Sequence, residues 1–406
     1  MTGVLDGLLV VEGSAFVAAP LGGMTLARLG ADVIRFDDVR GGADHGRWPL
    51  GPDGSSLFWR GMNKGKRSIA VDLRRPEGRE LVAALITAPG PDAGLFLTNF
   101  PATGALSYER LRARRDDLIM LTLTGNPDGS SAVDYTVNPA TGLPLITGDG
   151  REPVNHALPA WDVAAGLTLA VGLLAAERHR ARTGRGDHVT LSLADVAFAT
   201  MADLGYLAQA RLLGEIRPAL GNDLYGAFGR DFTTRDGRRL IVVAITLKQW
   251  RSLVEATGIA EFLPTVEKAL DVRLDDEGGR FTARDAVAAL MAPWFARRTL
   301  AEAQAGLDAA GVCWGPYQSF TEAAATDPRL STANPLFAEV EHPDLGPLTT
   351  PGSPLAFTGR ERSDHLRAPL LGEHTDEILT GVLGLSPAEI GRLHDAGLVR
   401  ATEARP

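Results

Sequence analysis

Leu8-Leu9-Val10-Val11-Glu12-Gly13-Ser14-Ala15-Phe16-Val17-Ala18-Ala19-Pro20-Leu21-Gly22-Gly23-Met24-Thr25-Leu26-Ala27-Arg28-Leu29-Gly30-Ala31-Asp32-Val33-Ile34-Arg35-Phe36 reads as strand, loop, helix and strand. Leu8 to Val11 is a short apolar run of strand character. Gly13 and Ser14 open a loop. Pro20 to Leu29 fits a helix that starts just after it. Gly22 and Gly23 permit close packing there, and Gly30 stops the helix. Val33 to Phe36 is the next strand, ending at Asp37 and Asp38. This order implies a right-handed crossover between parallel strands.

The unit recurs downstream. Ser68 to Leu73 reads as strand, Pro76 to Thr87 as helix and Gly94 to Thr98 as strand. Tyr108 to Arg115 follows as helix and Leu118 to Thr124 as strand. Alternating strands and helices make a mostly parallel sheet covered on both faces. The expected fold class is therefore α/β with a Rossmann-like large domain. The G-x-G-x-x-G fingerprint after the first strand is missing, so no pyrophosphate cradle is present and a nicotinamide enzyme is disfavoured.

Residues 125 to 153 are rich in Gly, Pro, Asn, Asp, Ser and Thr, which marks a long surface or active-site loop. It leads to a stretch from Val154 to Leu193. Val163 to Ala176 is apolar or small except for Thr168. A bilayer span needs about 20 apolar residues, so this run reads as a helix buried in a core. Asp162 stands before it, where an N-cap belongs. Gly184 and Gly186 provide a stop and a turn. Val189, Leu191 and Leu193 alternate as in a strand, and Ala194 to Leu213 reads as one more helix.

Composition shifts near Arg217. Asp236-Gly237 signals a hairpin between Phe232 to Thr234 and Leu240 to Ile245. Helices are expected at Lys248 to Thr257, Ala283 to Ala296 and Leu300 to Ala309, and Val312 to Gln318 reads as extended. From Asp327 the chain is loop-rich, then closes with helices at Asp376 to Leu383 and Pro387 to Ala396, the latter capped by Ser386. The expected division is a large domain at 1–215, a small α+β domain at 216–326 and a closing segment at 327–406.

A chain of 406 residues exceeds the size at which a single core stops growing. Its 45% hydrophobic and 22% charged content is that of an ordinary globular protein. A net charge of -9 opposes a nucleic-acid backbone as partner, while leaving room for a small anion in a local basic pocket. The single cysteine, Cys313, excludes an intrachain disulfide and a cysteine zinc site. Met1 to Gly7 lacks the basic-then-apolar pattern of a secretory leader. A cytoplasmic enzyme is expected.

Asp162 admits two readings. One is a structural cap. The other is a nucleophile kept ionised by the helix dipole, worth about 0.3–1 kcal/mol, beside N–H groups able to steady an oxyanion. His156 has no partners at ligand spacing, so a metal site is not expected. His179 and His188 flank a basic turn and read as surface residues; His374 reads as a cap for the helix after it. Asn63 to Ser68 is either a solvated loop or an anion site. Arg74 and Arg75 lie at the C-terminal mouth of their strand, with Asn99-Phe100 ending the next parallel strand. That edge is where open α/β sheets bind ligands, and the residues suit a nucleotide. Cys313, between Val312 and Trp314, reads as packing. Arg47 and Arg230 read as surface residues or as holders of a substrate carboxylate.

Further motifs give these residues a context. Leu29-Gly30-Ala31-Asp32-Val33-Ile34, Lys66-Arg67-Ser68 running into Val71-Asp72-Leu73, Asn99-Phe100, Gly184-Arg185-Gly186, Gly221-Asn222 and Leu371-Gly372-Glu373-His374-Thr375-Asp376 occur in this order. Together they resemble the family III CoA-transferases, the CaiB/BaiF group, over essentially the whole chain. Val10 to Pro20, Val133 to Pro139, Val154 to His156, Leu158 to Asp162 and Leu224 to Phe232 carry a narrower likeness. It is to members that move CoA between the two carboxyl ends of one methyl-branched, unsaturated dicarboxylic acid.

The resemblance implies that Asp162 attacks the thioester, giving an acyl-aspartyl anhydride and then an aspartyl-CoA thioester. It implies CoA contacts at Phe16, Val17, Leu73, Arg74, Asn99 and Phe100. It implies an interlocked homodimer whose large domain is completed by the C-terminal segment. The partner is an acyl-CoA substrate, with no cofactor beyond coenzyme A itself, no metal, no nucleic acid and no membrane. His156, Arg47, Tyr225 and Arg230 are the candidates for the free carboxylate of a dicarboxylate. Two departures stand out. Asp37 and Asp38 replace a basic residue common in the family, with Arg40 nearest. Val133 stands where several transferases carry lysine and racemases carry histidine. Valine moves no proton, which opposes a racemase. Gly221 to Gly229 is the nearest counterpart of a glycine-rich shielding loop. The expected activity is intramolecular CoA transfer. The alternatives are CoA transfer between two dicarboxylic acids, a 2-methylacyl-CoA racemase and a non-catalytic CoA-binding protein.

Overall fold

A computed structural model describes residues 3–214, 217–362 and 364–402. The strands in chain order are β1 (Leu9–Gly13), β2 (Asp32–Asp37), β3 (Arg67–Val71), β4 (Leu95–Thr98), β5 (Ile119–Thr124), β6 (Asp187–Ser192), β7 (Phe228–Thr233), β8 (Arg239–Ala244), β9 (Cys313–Pro316), β10 (Phe337–His342), β11 (Gly346–Pro351) and β12 (Val399–Arg400). The chain divides into two compact units. The first comprises Met1–Thr141, His156–Leu212 and Pro328–Pro406; the second comprises Gly142–Asn155 and Leu213–Asp327. The expected boundary between residues 215 and 216 lies outside the described residues.

In the first unit a seven-stranded sheet runs in the order β12-β3-β2-β1-β4-β5-β6. Its strands are parallel, except that β12 pairs antiparallel with β3 through Val399–Val71 and Arg400–Ala70. The central strands are apolar on both faces, as a doubly covered parallel sheet requires. Val11, Ile34, Phe36, Ile69, Val71 and Phe96 pack on one face with Val82, Leu85 and Ile86 of the Pro76–Ile86 helix. Ile378 and Ile390, from the closing helices Thr375–Gly381 and Pro387–Asp395, join the same layer. Each fully buried aliphatic side chain contributes roughly 1.5–3 kcal/mol.

The other face is covered by helices Ala18–Arg28 and Ala160–Thr183. Their contact depends on glycine. A Cβ on Gly166 would stand 2.6 Å from the carbonyl oxygen of Ala18, and one on Gly22 would stand 3.1 Å from that of Gly166. Alanine at residue 166 would force the two backbones apart.

Several expectations need correction. The apolar helix is 24 residues long and starts at Ala160, so Asp162 is its third residue and Pro159 takes the N-cap position. By length and hydropathy alone it could cross a membrane. It is also only partly covered, with Leu167 and Val171 exposed. The 125–153 stretch is not all loop, since it contains helices Asp134–Ala140 and Leu143–Ile146. The expected 194–213 helix is two, Leu193–Asp203 and Tyr206–Leu213, parted at Gly205 with φ of 82°. The loop-rich stretch after Asp327 holds the β10–β11 hairpin.

The second unit is built on the antiparallel sheet β7-β8-β9. Phe228, Phe232, Leu240 and Val242 face Trp250, Met291 and Phe295 in its core, with Phe232 and Phe295 stacked at 4.2 Å. Cys313 is exposed rather than packed inside. It begins β9, and strand alternation turns its side chain away from the core that Val312 and Trp314 join.

Candidate active site

The first element of the site is the loop after β1. Phe16 adopts a left-handed backbone with φ of 71°, uncommon for an aromatic residue and costing on the order of 1–3 kcal/mol. Hydrogen bonds to Asp44 and Asn99 hold it there. The Phe16 N–H donates to both carboxylate oxygens of Asp44 at 3.0 Å. Asn99, just after β4, accepts from the Ala15 N–H at 2.9 Å and donates to the Ala15 carbonyl at 2.8 Å. Thus Asn99 and Phe100 are brought to the same sheet edge as Phe16 and Val17. Phe16 is exposed, Val17 is buried and Phe100 packs edge-on against Phe36 at 6.4 Å.

Behind this loop lies a buried charge network. Arg35 on β2 donates to the Ser14 carbonyl at 2.7 Å, to Asp37 at 3.1 Å, to Asp44 at 3.2 Å and to Asn63 at 3.0 Å. Lys66 donates to Glu12 at 2.7 Å, to the Pro20 carbonyl and to Asn63, both at 2.9 Å. Burial lowers the Lys66 pKa to about 8, against the opposing pull of Glu12. The Asn63–Ser68 cluster is therefore neither a solvated loop nor an open anion site. Lys66 is inside and committed, and Arg67 pairs with Asp32 and Glu377.

Leu73 and Arg74 follow the C-terminal end of β3. Arg74 is exposed and forms a two-pronged contact with Asp72 at 2.9 and 3.0 Å, which raises its pKa. Asp38, just past the end of β2, lies 3.9 Å from Arg74 and 2.8 Å from Arg40. Arg75 donates to the Ala396 carbonyl instead. His374 occupies the N-cap position of its helix, but its side chain does not cap. Its Nδ1 accepts from the Ser68 N–H at 3.2 Å, tying that helix to β3.

The second element is the first turn of the Ala160–Thr183 helix. The orphan N–H groups of a helix start usually find a local cap. Here they find Asp134, the first residue of the Asp134–Ala140 helix. Its Oδ2 accepts from the Trp161 N–H at 2.8 Å and from the Asp162 N–H at 3.2 Å. Its Oδ1 accepts from His156 Nε2 at 2.8 Å, because an ionised carboxylate can only accept. The Trp161 indole donates to Asn138 at 3.1 Å. Among the described residues nothing hydrogen-bonds the Asp162 carboxylate.

Burial raises the Asp162 pKa to about 6, the negative Asp134 adds to the rise, and Arg47 opposes it. The helix start thus does not lower the Asp162 pKa overall, because Asp134 takes the donors that would do so. Arg47 itself lies over the rings of Phe16 and Phe58, at 5.2 and 4.6 Å. Among the described residues it makes no ion pair with an acid. It therefore joins the β1 loop to the surroundings of Asp162.

Tyr225 and Arg230 belong to the second unit. Arg230 pairs with Asp223 and, at 2.8 Å, with Asp285. The Tyr225 ring packs against Phe281 at 5.2 Å and under the Arg217 guanidinium at 3.8 Å. Val133, just before Asp134, is exposed. Among the described residues no group of three or more His, Cys, Asp or Glu side chains is placed to hold a metal ion. Asp134, Arg35 and Asp44 escaped sequence reasoning. Asp134 sits in a stretch of turn-forming composition, and the other two act through contacts distant in sequence.

Comparison with known proteins fits this arrangement. The model of CoA-transferase family III matches residues 5–375. A 2-methylfumaryl-CoA isomerase of Chloroflexus aurantiacus is 57% identical, over 98% of this chain and 98% of its own. A succinyl-CoA--D-citramalate CoA-transferase of the same organism is 29% identical over 96% of each. The crystal structure of a CaiB/BaiF family protein from Brucella suis superposes with a TM-score of 0.76 at 27% identity, covering 94% of this chain and all of that one. With the family model matching residues 5–375 and a relative 57% identical along nearly the full length of both chains, the protein belongs to CoA-transferase family III.

Proposed function

We propose that the protein moves CoA from C1 to C4 of 2-methylfumaryl-CoA (mesaconyl-C1-CoA), giving 3-methylfumaryl-CoA (mesaconyl-C4-CoA). The observation that carries this reading is the 57% identity to a 2-methylfumaryl-CoA isomerase along nearly the full length of both chains. Asp162 is the nucleophile. Its ionised carboxylate attacks the C1 thioester carbon, the C–S bond breaks, and CoA leaves as thiolate. The product is a mixed anhydride of Asp162 and methylfumarate. The thiolate then attacks the aspartyl carbonyl and expels the C1 carboxylate, leaving an aspartyl-CoA thioester. Methylfumarate stays bound, and its C4 carboxylate attacks that thioester. The same steps reversed place CoA on C4 and restore Asp162. No proton is gained or lost overall.

CoA is held by Phe16, Val17, Leu73, Arg74, Asn99 and Phe100 along the C-terminal edge of the sheet. Arg47 holds the free carboxylate. It is favoured over His156 and Arg230 because those two already serve acids of the chain itself. A cation at that place also favours ionised Asp162. The enzyme acts in the cytoplasm as an interlocked homodimer. The exposed apolar residues Leu167, Val171, Phe198, Leu204, Leu207 and Leu212 support subunit contact.

The test is direct. The enzyme is given mesaconyl-C1-CoA, and the C4 isomer is followed by chromatography in the presence of isotopically labelled free methylfumarate. Conversion without label in the thioester is expected. Label entering the thioester would mean transfer between two acids and would overturn the intramolecular reading.

A further inference from the structure

Asp134 and His156 take no part in the steps above, yet they converge on the nucleophile from two separate segments. In the first turn of a helix, the orphan N–H groups are the nearest donors for a carboxylate. Asp162, the third residue of the helix, lies beside them, yet its carboxylate takes none of them among the described residues. Asp134 has taken the N–H groups of Trp161 and of Asp162 itself. A carboxylate held by one oxygen could still swing. His156 prevents this by donating to the other oxygen at 2.8 Å. A second tie between the same helices, Trp161 to Asn138, fixes their separation. Asp134 is almost fully buried, whereas Asp162 is only partly so.

We propose that Asp134, locked by His156, is a positioning residue that fills the helix cap and leaves the Asp162 carboxylate unpaired and free to attack. The proposal rests on the reading of Asp162 as nucleophile. It has an electrostatic side. A fixed negative charge beside Asp162 makes its carboxylate more basic, and a more basic carboxylate is the stronger nucleophile once ionised. The charged groups that bear on Asp162 are Asp134, from the Asp134–Ala140 helix, and Arg47, from the loop after β2. Asp134 faces His156 and Asp162. The Leu193–Asp203 helix, which also packs on the Asp134–Ala140 helix, brings Asp195 and Asp203, both exposed. His156 therefore serves the protein's own carboxylate rather than the substrate's.

The experiment compares full-length wild-type protein with Asp134→Asn, His156→Gln and His156→Ala. Asp162 is labelled with a water-soluble carbodiimide and glycine ethyl ester across pH 4–8. The modified peptide is quantified by mass as a ratio to wild type at each pH. Losing the charge of Asp134 should move the protonation midpoint of Asp162 down by about one pH unit. His156→Gln keeps a donor for Asp134 and should keep the wild-type midpoint. An unchanged midpoint in Asp134→Asn would overturn the proposal.

Kinetics supply a second readout. His156→Ala should lower kcat about tenfold with KM little changed, and His156→Gln should recover most of that loss. Equal kcat in the two variants would overturn the proposal even where Asp134→Asn does not fold. A wild-type protein that fails to isomerise the thioester, while the midpoint still shifts, would remove the proposed reaction and leave the positioning role intact.

Discussion

Two regions of the first unit treat charge in opposite ways. Beneath the β1 loop, Arg35 and Lys66 are buried with Glu12, Asp37 and Asp44, and nearly every donor has an acceptor. At the start of the Ala160–Thr183 helix, two carboxylates stand together and the outer one, Asp162, has no hydrogen bond among the described residues. The first arrangement holds a strained Phe16 still. The second leaves one carboxylate unpaired, as the proposed nucleophile requires. A satisfied buried network gives rigidity, while an unmatched charge costs stability and gives chemistry. The contrast assigns different tasks to two acid-rich patches that composition alone does not distinguish.

The largest expected effect tests the reactive side. Asp162→Asn should lower the isomerisation rate by more than about 10³-fold, and no CoA adduct should be trapped on the protein by mass spectrometry. Appreciable residual turnover would place the nucleophile elsewhere. On the structural side, Arg35→Met leaves three buried acids without their shared cation. Breaking a buried pair in this way costs roughly 3–5 kcal/mol, read as a lower denaturation midpoint in urea. A loss under 1 kcal/mol would mean that the network contributes little to holding the loop.

Between the two regions stands Arg47, stacked on the loop and felt by Asp162. Arg47→Ala should reduce kcat/KM about 10–100-fold, the worth of one charge-assisted hydrogen bond of about 1.5–3 kcal/mol. It should also shift the acidic limb of the rate profile to higher pH, because the cation favours ionised Asp162. A limb that stays in place would separate Arg47 from Asp162.

The smallest effect concerns the cost of that unmatched charge. Asp162 titrates near 6 in the folded chain, against 3.8 for a free aspartate. The folded state thus holds this proton more tightly than the unfolded state does. Stability is lost as pH rises from 3.8 through 6, and the whole cost is present above that range. Asparagine carries no such cost. Asp162→Asn should therefore be more stable than wild type at pH 8, by on the order of 2 kcal/mol, with the gap closing below about pH 4. Equal melting temperatures at pH 8 would show that Asp162 is not strained by its surroundings.

The parallel sheet was legible because β1 to β5 alternate with helices at regular spacing and carry apolar runs. The helix behind Asp162 was legible for its composition, but its start was not. Ala160 and Trp161 look like loop after Pro159, and the cap that serves this first turn is the Asp134 carboxylate, 27 residues before Trp161. β12 has two residues, too few to carry a period. Lys66 in a run of polar and basic residues reads as surface, because nothing local reveals Glu12, 54 positions away. What stays hidden in the chain is what depends on distant partners.

The short antiparallel strand β12 has a consequence for how this protein is made. Together with the two closing helices it seals the β3 edge, through contacts such as Ser68 with His374, 306 residues apart. Between them the ribosome must produce the whole second unit. The growing chain therefore carries an unpaired parallel edge through most of its synthesis, a template for mispairing. Assembly of the catalytic unit is bound to be late and governed by long-range closure. Closure of this edge therefore waits on Val399 and Arg400, the last strand to be made.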